Sequence, residues 1–450
     1  MNFSSSIAAS YETDILVIGS GSAGAVAAIA AAQGKFKVTI VERYGFAGGS
    51  STQMLDTFYG FFTPSDVPKK IVGGIPDLVV NELNKSGDIF LRPNTYGAGT
   101  GVNYNPEKLK EVWDKLLGSN GVNTYYHTTL VGVENISEIS TCIFFNKGIG
   151  FFSIKAKRII DASGDADYCH WAGLAYEKAG EIEPSQSMTT TFRMANVDLD
   201  AFKNAGGKSM LKEKMKQAYE SGKHPLPRKE GSAHEMCQPK CISTVAVKVT
   251  DFDPLDPRGI TQAEIEGRRQ AFIFEDFFRA EVPGYEHAKI IGLSNQIGLR
   301  ETRRVLGEYR LTKEDCMSAS QFKDQVFLCG APIEDHRKSP DGQSETYWQY
   351  VPNGGSYGVP YRTLIPKGSQ NTWVAGRCFS AAHDAHASCR SMAQTMSMGQ
   401  AVGFAAVHSL LQDCDAKNVP IEKIQNTLLQ HGGILELPTK LADISRNGWK

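Results

Sequence analysis

Three side chains in this sequence could move a proton or hold an anion. His383 carries an imidazole that titrates near neutrality, so it can take or give a proton. Arg390 lies just before a small-residue helical stretch and can neutralise a bound anion. Arg300 opens the cluster Arg300-Glu301-Thr302-Arg303-Arg304, which suits anion recognition and equally ion pairing between domains. Each has a plainer use: a structural or exposed histidine, or an arginine in a salt bridge. His386 shares the chemistry of His383, and Tyr361 and Arg362 read as structural. His234, Cys237 and Cys241 have metal-like spacing, but no second pair of ligands is near, so no metal is expected. Cys378 and Cys389 read as small packing residues rather than a redox pair.

Proton and hydride chemistry needs a carrier, and residues 14–42 have the pattern that grips one. Asp-Ile-Leu-Val-Ile is a strand, Gly-Ser-Gly-Ser-Ala-Gly a turn, the Ala-rich run a helix, and Val-Thr-Ile-Val-Glu a second strand. Gly19 allows the tight turn, Gly21 lets a pyrophosphate approach the backbone, and Gly24 lets the helix pack on the strand. Ser22 and Ala23 open the helix, whose N-terminus favours phosphate charge. Glu42 is placed to accept both hydroxyls of an adenosine ribose, with Arg43 beside it.

Four later segments turn a dinucleotide into FAD. Residues 42–52 hold Gly48-Gly49 for close backbone approach, with Ser50, Ser51 and Thr52 as phosphate donors. The strand through Leu130 and Val131 can offer backbone groups to an adenine. Residues 159–165 run a strand into the small turn Ala162-Ser163-Gly164. The most specific segment runs from Trp373 through Gly376, Arg377, His383 and Arg390 to Met392, Ala393 and a helix over 394–406. A helix N-terminus there would stabilise negative charge on a reduced flavin.

These segments resemble the FAD-dependent oxidoreductases of the glutathione-reductase-like FAD superfamily, close to the flavoproteins related to fumarate reductase. The resemblance rests on Gly19–Gly24 with Glu42, Gly48-Gly49, residues 161–165, 298–304 and 359–362, Val374-Ala375-Gly376-Arg377-Cys378, and Met398-Gly399-Gln400-Ala401. It spans most of residues 12–408 and is specific for FAD rather than for substrate. It implies hydride transfer between a small polar organic molecule and flavin N5, as a dehydrogenase or oxidase, and it places His383 and Arg390 by the flavin. Reduction of an activated C=C bond, a monooxygenase using external NAD(P)H, and a non-catalytic flavoprotein are the alternatives. The late Gly-Asp and mid-chain Asp-Gly motifs of flavin hydroxylases are missing, which counts against the monooxygenase. No second Gly-x-Gly-x-x-Gly follows a strand, which counts against a built-in NAD(P)H domain.

The expected fold is α/β: a Rossmann-like FAD-binding domain of βαβ units, with a parallel sheet plus a β-meander. It comprises 12–183 and 356–412. An α+β substrate domain is inserted over 184–355, and 413–450 is peripheral. Helices are expected at 71–84, 106–118, 208–221 and 261–280. Strands are expected at 124–133, 158–161, 188–194 and 243–249.

The 450 residues allow two or three domains, and the net charge of −1 gives no pull toward nucleic acid. No apolar run reaches a membrane span. The first ten residues lack the features of a signal peptide. Nine scattered cysteines fit reduced thiols, hence the cytoplasm. The electron acceptor, oxygen or an external carrier, and the oligomeric state stay open.

Overall fold

The computed structural model describes residues 6–136, 138–183, 185–336 and 346–449. Its central sheet grows from the strand Ser10–Ile18, whose apolar end Ile15-Leu16-Val17-Ile18 is buried on both faces. Such a run suits a parallel sheet covered on both sides. Val38–Val41 pairs parallel on one side and carries Asn123–Tyr125 beyond it. The long strand Gly150–Asp161 pairs parallel on the other side. Its second half accepts the late strand Thr372–Val374 in parallel. Its first half meets Ser140–Asn146, which in turn pairs with Thr128–Ile136, both antiparallel. The parallel sheet and the meander therefore share one strand.

The helix Ser22–Ala32 is apolar nearly all round, and every residue from Ser22 to Ala31 is buried. A helix of that kind needs neighbours on all sides. One neighbour is the late helix Met392–Gln412, which lies against it through Gly399 and Gly403. A Cβ on Gly399 would come within 3.1 Å of the Ala27 nitrogen and press on the Ala23 carbonyl. Backbone cannot step aside as a side chain can. We expect Gly399→Ala to cost ~2 kcal/mol. Urea denaturation followed by circular dichroism measures this, and an unshifted midpoint would mean that the two helices can separate freely.

A second core gathers Met188, Phe192, Phe274, Phe277, Phe278 and others as far as Ile297. It sits between the helix Pro257–Glu281 and a four-stranded antiparallel sheet. In that sheet Ser232–Glu235, Ile242–Val245, Phe192–Ala195 and Lys289–Leu293 follow in order. The Phe192 and Phe274 rings stack with centroids 6.1 Å apart. From Val305 through Val359 the buried apolar side chains join the first core, not the second, with the exception of Ile333, which belongs to neither cluster. The second core is thus shorter than the 184–355 insertion expected from sequence. Residue 184 itself lies outside the described residues. A small sheet of Thr57–Phe58, Gly101–Tyr104 and Ile89–Arg92 packs Phe58, Leu91, Val102 and Tyr104 into the first core, and its Asn103 side chain donates to the Glu235 carbonyl of the second unit.

The four expected helices form, as Ile75–Lys85, Pro106–Ser119, Gly207–Ser221 and Pro257–Glu281. The expected strand at 124–133 is two strands, because His127 takes a positive φ of 52° between them. Among the described residues, no helix is long and apolar enough to cross a membrane.

Candidate functional site

The Gly19–Gly24 turn sits where the first strand ends. Gly19 has φ +90°, and a Cβ there would lie 2.6 Å from the Ala162 carbonyl oxygen. Gly24 presses on the Gly19 carbonyl from the other side, so these two glycines are demanded by packing. Gly21 differs: a Cβ on it would meet no protein atom within 4 Å. It borders a cavity of about 960 Å³. Glu42 is also on that wall and is held rigidly. Its carboxylate accepts from the Ser20 N–H at 2.7 Å and the Tyr44 N–H at 3.0 Å.

The same cavity is lined by Glu42, Arg43 and Leu130, and by Gly19, Gly21, Ser22, Ala23, Ala162, Ser163, Gly164, Gly376 and Arg377. Gly49, Ser50, Met392, Arg300 and Arg390 line it too. Arg377 braces this wall. Its guanidinium donates to the Gly164 and Leu299 carbonyls and pairs with Asp165 at 2.6 Å. Arg43 pairs with the same Asp165 at 3.4 Å. Burial would raise the Asp165 pKa, but Arg377 and Arg43 outweigh it and keep the carboxylate charged. The helix Met392–Gln412 begins at the cavity wall with no side chain capping its N-terminus.

Five of the cofactor-binding candidates do not line the cavity. Gly24 is a packing residue, as above. The Ser51 and Thr52 hydroxyls donate to the Gly48 and Ala47 carbonyls, each at 2.7 Å, so they shape the loop. Val131 is the extra residue of a β-bulge, since Leu130 pairs with Phe144 and Gly132 with Ile143. The Ala393 N–H donates to the Tyr59 carbonyl at 3.2 Å.

His383 is the largest departure. It is 2% exposed and does not line the cavity. Its ring lies between two carboxylates, with Nδ1 3.2 Å from Glu301 and Nε2 3.3 Å from Asp335. Burial alone would lower its pKa, but these two partners hold it at about 9. Glu301 also pairs with Arg304 at 2.6 Å. His383 is therefore a permanent cation near neutral pH, and a poor proton acceptor. His386 is buried too. Its Nε2–H donates to the Arg377 carbonyl at 2.7 Å, and burial drives its pKa to about 3. Among the described residues, Asp335, His383 and Asp384 form the one group with ligand-type spacing. Glu301 and Lys313 share its charges, which makes it an ion-pair network.

The cavity also takes in a chamber of polar side chains, of which sequence reasoning singled out Arg300 and Arg390 as site residues and missed the rest. Asp56, Tyr59 and Arg92 come from the small sheet, and Lys208, Arg228 and His234 from the second unit. Glu334 and His336 join Arg300 and Arg390 on the remaining wall. Strand pairing brings Arg92 and His234 together, while Lys208 comes from the helix Gly207–Ser221 and Arg228, Arg300 and His336 from loops. The Arg92 guanidinium donates to the Tyr59 hydroxyl. Burial, with Arg92 and Lys208 nearby, holds the His234 pKa far below its usual value, so its imidazole is neutral.

The model of one protein family, described as FAD dependent oxidoreductase, matches residues 14–428. The chain belongs to this family. FAD is accordingly its cofactor, and the FAD dependent oxidoreductase fold accounts for the βαβ unit, the meander and the late helix. The open face of Gly21 and the anchored Glu42 carboxylate fit a dinucleotide in the cavity. No curated protein matches the chain. The solved structures similar to this family member include a geranylgeranyl bacteriochlorophyll reductase-like protein from Thermoplasma acidophilum. It is 14% identical, with a TM-score of 0.48, over 94% of this chain and 85% of that one. A p-nitrophenol 4-monooxygenase from Pseudomonas putida is 11% identical, with a TM-score of 0.45, over 94% and 87%. A flavin-dependent brominase is 12% identical, with a TM-score of 0.47, over 92% and 83%.

Proposed function

We propose that the chain is a dehydrogenase or oxidase acting on a small polar organic molecule held in the inner chamber. The observation that carries this reading is that one cavity holds both the dinucleotide cradle and a chamber rich in titratable groups. Bound FAD supplies the two-electron acceptor. Glu42 and the Gly21 backbone hold its adenosine and pyrophosphate end. Gly49, Ser50 and Met392 line the same cavity.

The chain's own chemical task is the proton. When a substrate C–H bond gives up its electron pair, a hydroxyl or amine proton must leave as well. We assign His234 as the acceptor, with negative charge on the bound substrate offsetting the burial and the Arg92 and Lys208 charges that oppose its protonated form. It is neutral, it lines the chamber, and its buried Nδ1 has no hydrogen-bond partner among the described residues. His383 then positions the wall behind the chamber through Glu301 and Asp335.

A second reading is reduction of an activated C=C bond, the reaction that goes with a fumarate-reductase relationship. Tyr59 favours it. Burial raises its pKa and keeps the phenol protonated, and Arg92 donates to its oxygen, which leaves the O–H free to donate. The nine free cysteines support a cytoplasmic setting.

The test is anaerobic mixing of FAD-loaded protein with alcohols, amines and hydroxy acids, followed at the flavin absorbance. Bleaching by one of these supports the proposal. Bleaching by NAD(P)H alone would sink it in favour of a monooxygenase or reductase. His234→Gln is expected to slow substrate bleaching roughly a hundredfold with FAD content unchanged. A wild-type rate would remove His234 from the reaction.

A further inference from the structure

We propose that Arg228, Arg300 and Arg390 form an anion site in the chamber, so that the molecule bound there carries a carboxylate. The inference rests on the chamber being the substrate site and adds the substrate's charge.

The charges on this wall do not balance. Behind it, Arg304 and protonated His383 face Glu301, Asp335 and Glu177, with Glu183 3.9 Å from Arg304, so that layer has no positive charge to spare. In front of it, the three guanidiniums line the cavity with the buried carboxylate of Glu334. Glu230 meets Arg228 at 3.7 Å, with its own side chain 43% exposed. Partly buried guanidiniums with too few carboxylates beside them favour a ligand that supplies the missing charge.

The arginines are also fixed in place. Arg390 donates to the Gln186 side chain at 2.9 Å and the Glu334 carbonyl at 3.1 Å, and Arg300 donates to the Ser187 carbonyl. The Nε atoms of Arg228 and Arg390 are buried with no hydrogen-bond partner among the described residues. Arg390 is both held and left with an unused N–H, and Arg228 adds a second unused N–H, a set that suits the oxygens of a carboxylate. Burial and the neighbouring Arg390 depress the Arg300 pKa to about 9, which is the electrostatic mark of the same excess. His336 does not add to it. Burial and Arg300 drive its pKa to about 3, so it is neutral and bonds to Glu334 at 2.9 Å.

The test uses FAD-loaded protein and calorimetric titration with acetate, benzoate and succinate, each against its neutral amide. At least one acid should bind ten times more tightly than its amide, by roughly the worth of one charge-assisted contact. Arg228→Gln should erase that preference with FAD content unchanged, and Arg228→Lys should keep part of it. Glu334→Gln should tighten acid binding, because it removes the carboxylate that competes with the ligand. Equal binding of acids and amides would overturn the site, as would weaker or unchanged acid binding in Glu334→Gln. The two proposals fail separately. Flavin bleaching by a neutral substrate, with no preference for acids, would remove the anion site and leave hydride transfer standing. Acid binding without bleaching by any substrate would do the reverse.

Discussion

Gly21→Val is expected to give a protein that folds and purifies without colour. Nothing in the protein opposes the new side chain, since a Cβ there meets no atom within 4 Å. The backbone does not oppose it either, because Gly21 has φ −58°, open to any residue. The cofactor does oppose it, since the added methyls would stand where the pyrophosphate approaches the backbone. Thermal unfolding without FAD should match that of the wild-type apoprotein, while FAD titration should show affinity lower by on the order of a hundredfold or more. Gly24→Val is the contrasting control. Its Cβ presses on the Gly19 carbonyl and the Ala162 side chain, so it should lose stability before it loses affinity. A yellow, FAD-saturated Gly21→Val protein would show that the cofactor does not pass this turn.

His383→Ala should have the second large effect, and it should depend on pH. The imidazole is held protonated with a pKa of about 9, above the ~6.5 of an unfolded chain. Its stabilisation is therefore complete below ~6.5 and disappears as pH rises through about 9. The partner works at the other limit. Burial opposes ionisation of Glu301, but His383 overcomes it and lowers the pKa to about 2, so that stability is lost only as pH falls toward that value. Near pH 6 the substitution leaves buried carboxylates facing an empty space, at ~3 kcal/mol. By pH 10 the wild type has lost the same cation and the gap should narrow. Urea midpoints of both proteins at the two pH values decide the matter. A constant gap would mean that His383 acts by packing alone.

The two histidine-bearing regions show which parts of the site could be read from sequence. The turn at residues 19–24 was legible because its constraints are local: two strands, one helix and an acid within thirty positions. Gly376 and Arg377 were legible for a similar reason, since they follow a short strand that completes the sheet. His383 was read as a proton carrier because its chemistry is visible and its burial is not. Only folding brings Glu301 and Asp335 to either side of the ring. The rest of the chamber was invisible for a stronger reason. Asp56, Arg92 and His234 meet because Thr57 pairs with Asn103, Arg92 with Gly101, and the Asn103 amide donates to the Glu235 carbonyl. None of those pairings leaves a periodic trace at the residues that do the chemistry. Ser51 and Thr52 show the opposite error, where residues suited to phosphate serve their own loop.

The glycine contact between the helices Ser22–Ala32 and Met392–Gln412 bears on how the protein is made. The first helix is apolar on every side, yet one of its covers leaves the ribosome hundreds of residues later. At ordinary synthesis rates of roughly 5–20 residues per second, that is a wait of tens of seconds. A nascent chain can pair its first strands early, but the cofactor cradle closes only once the helix Met392–Gln412 has been made. FAD loading is therefore a late event. A ribosome-stalled chain ending before the late helix should be sticky, protease-sensitive and unable to retain the flavin.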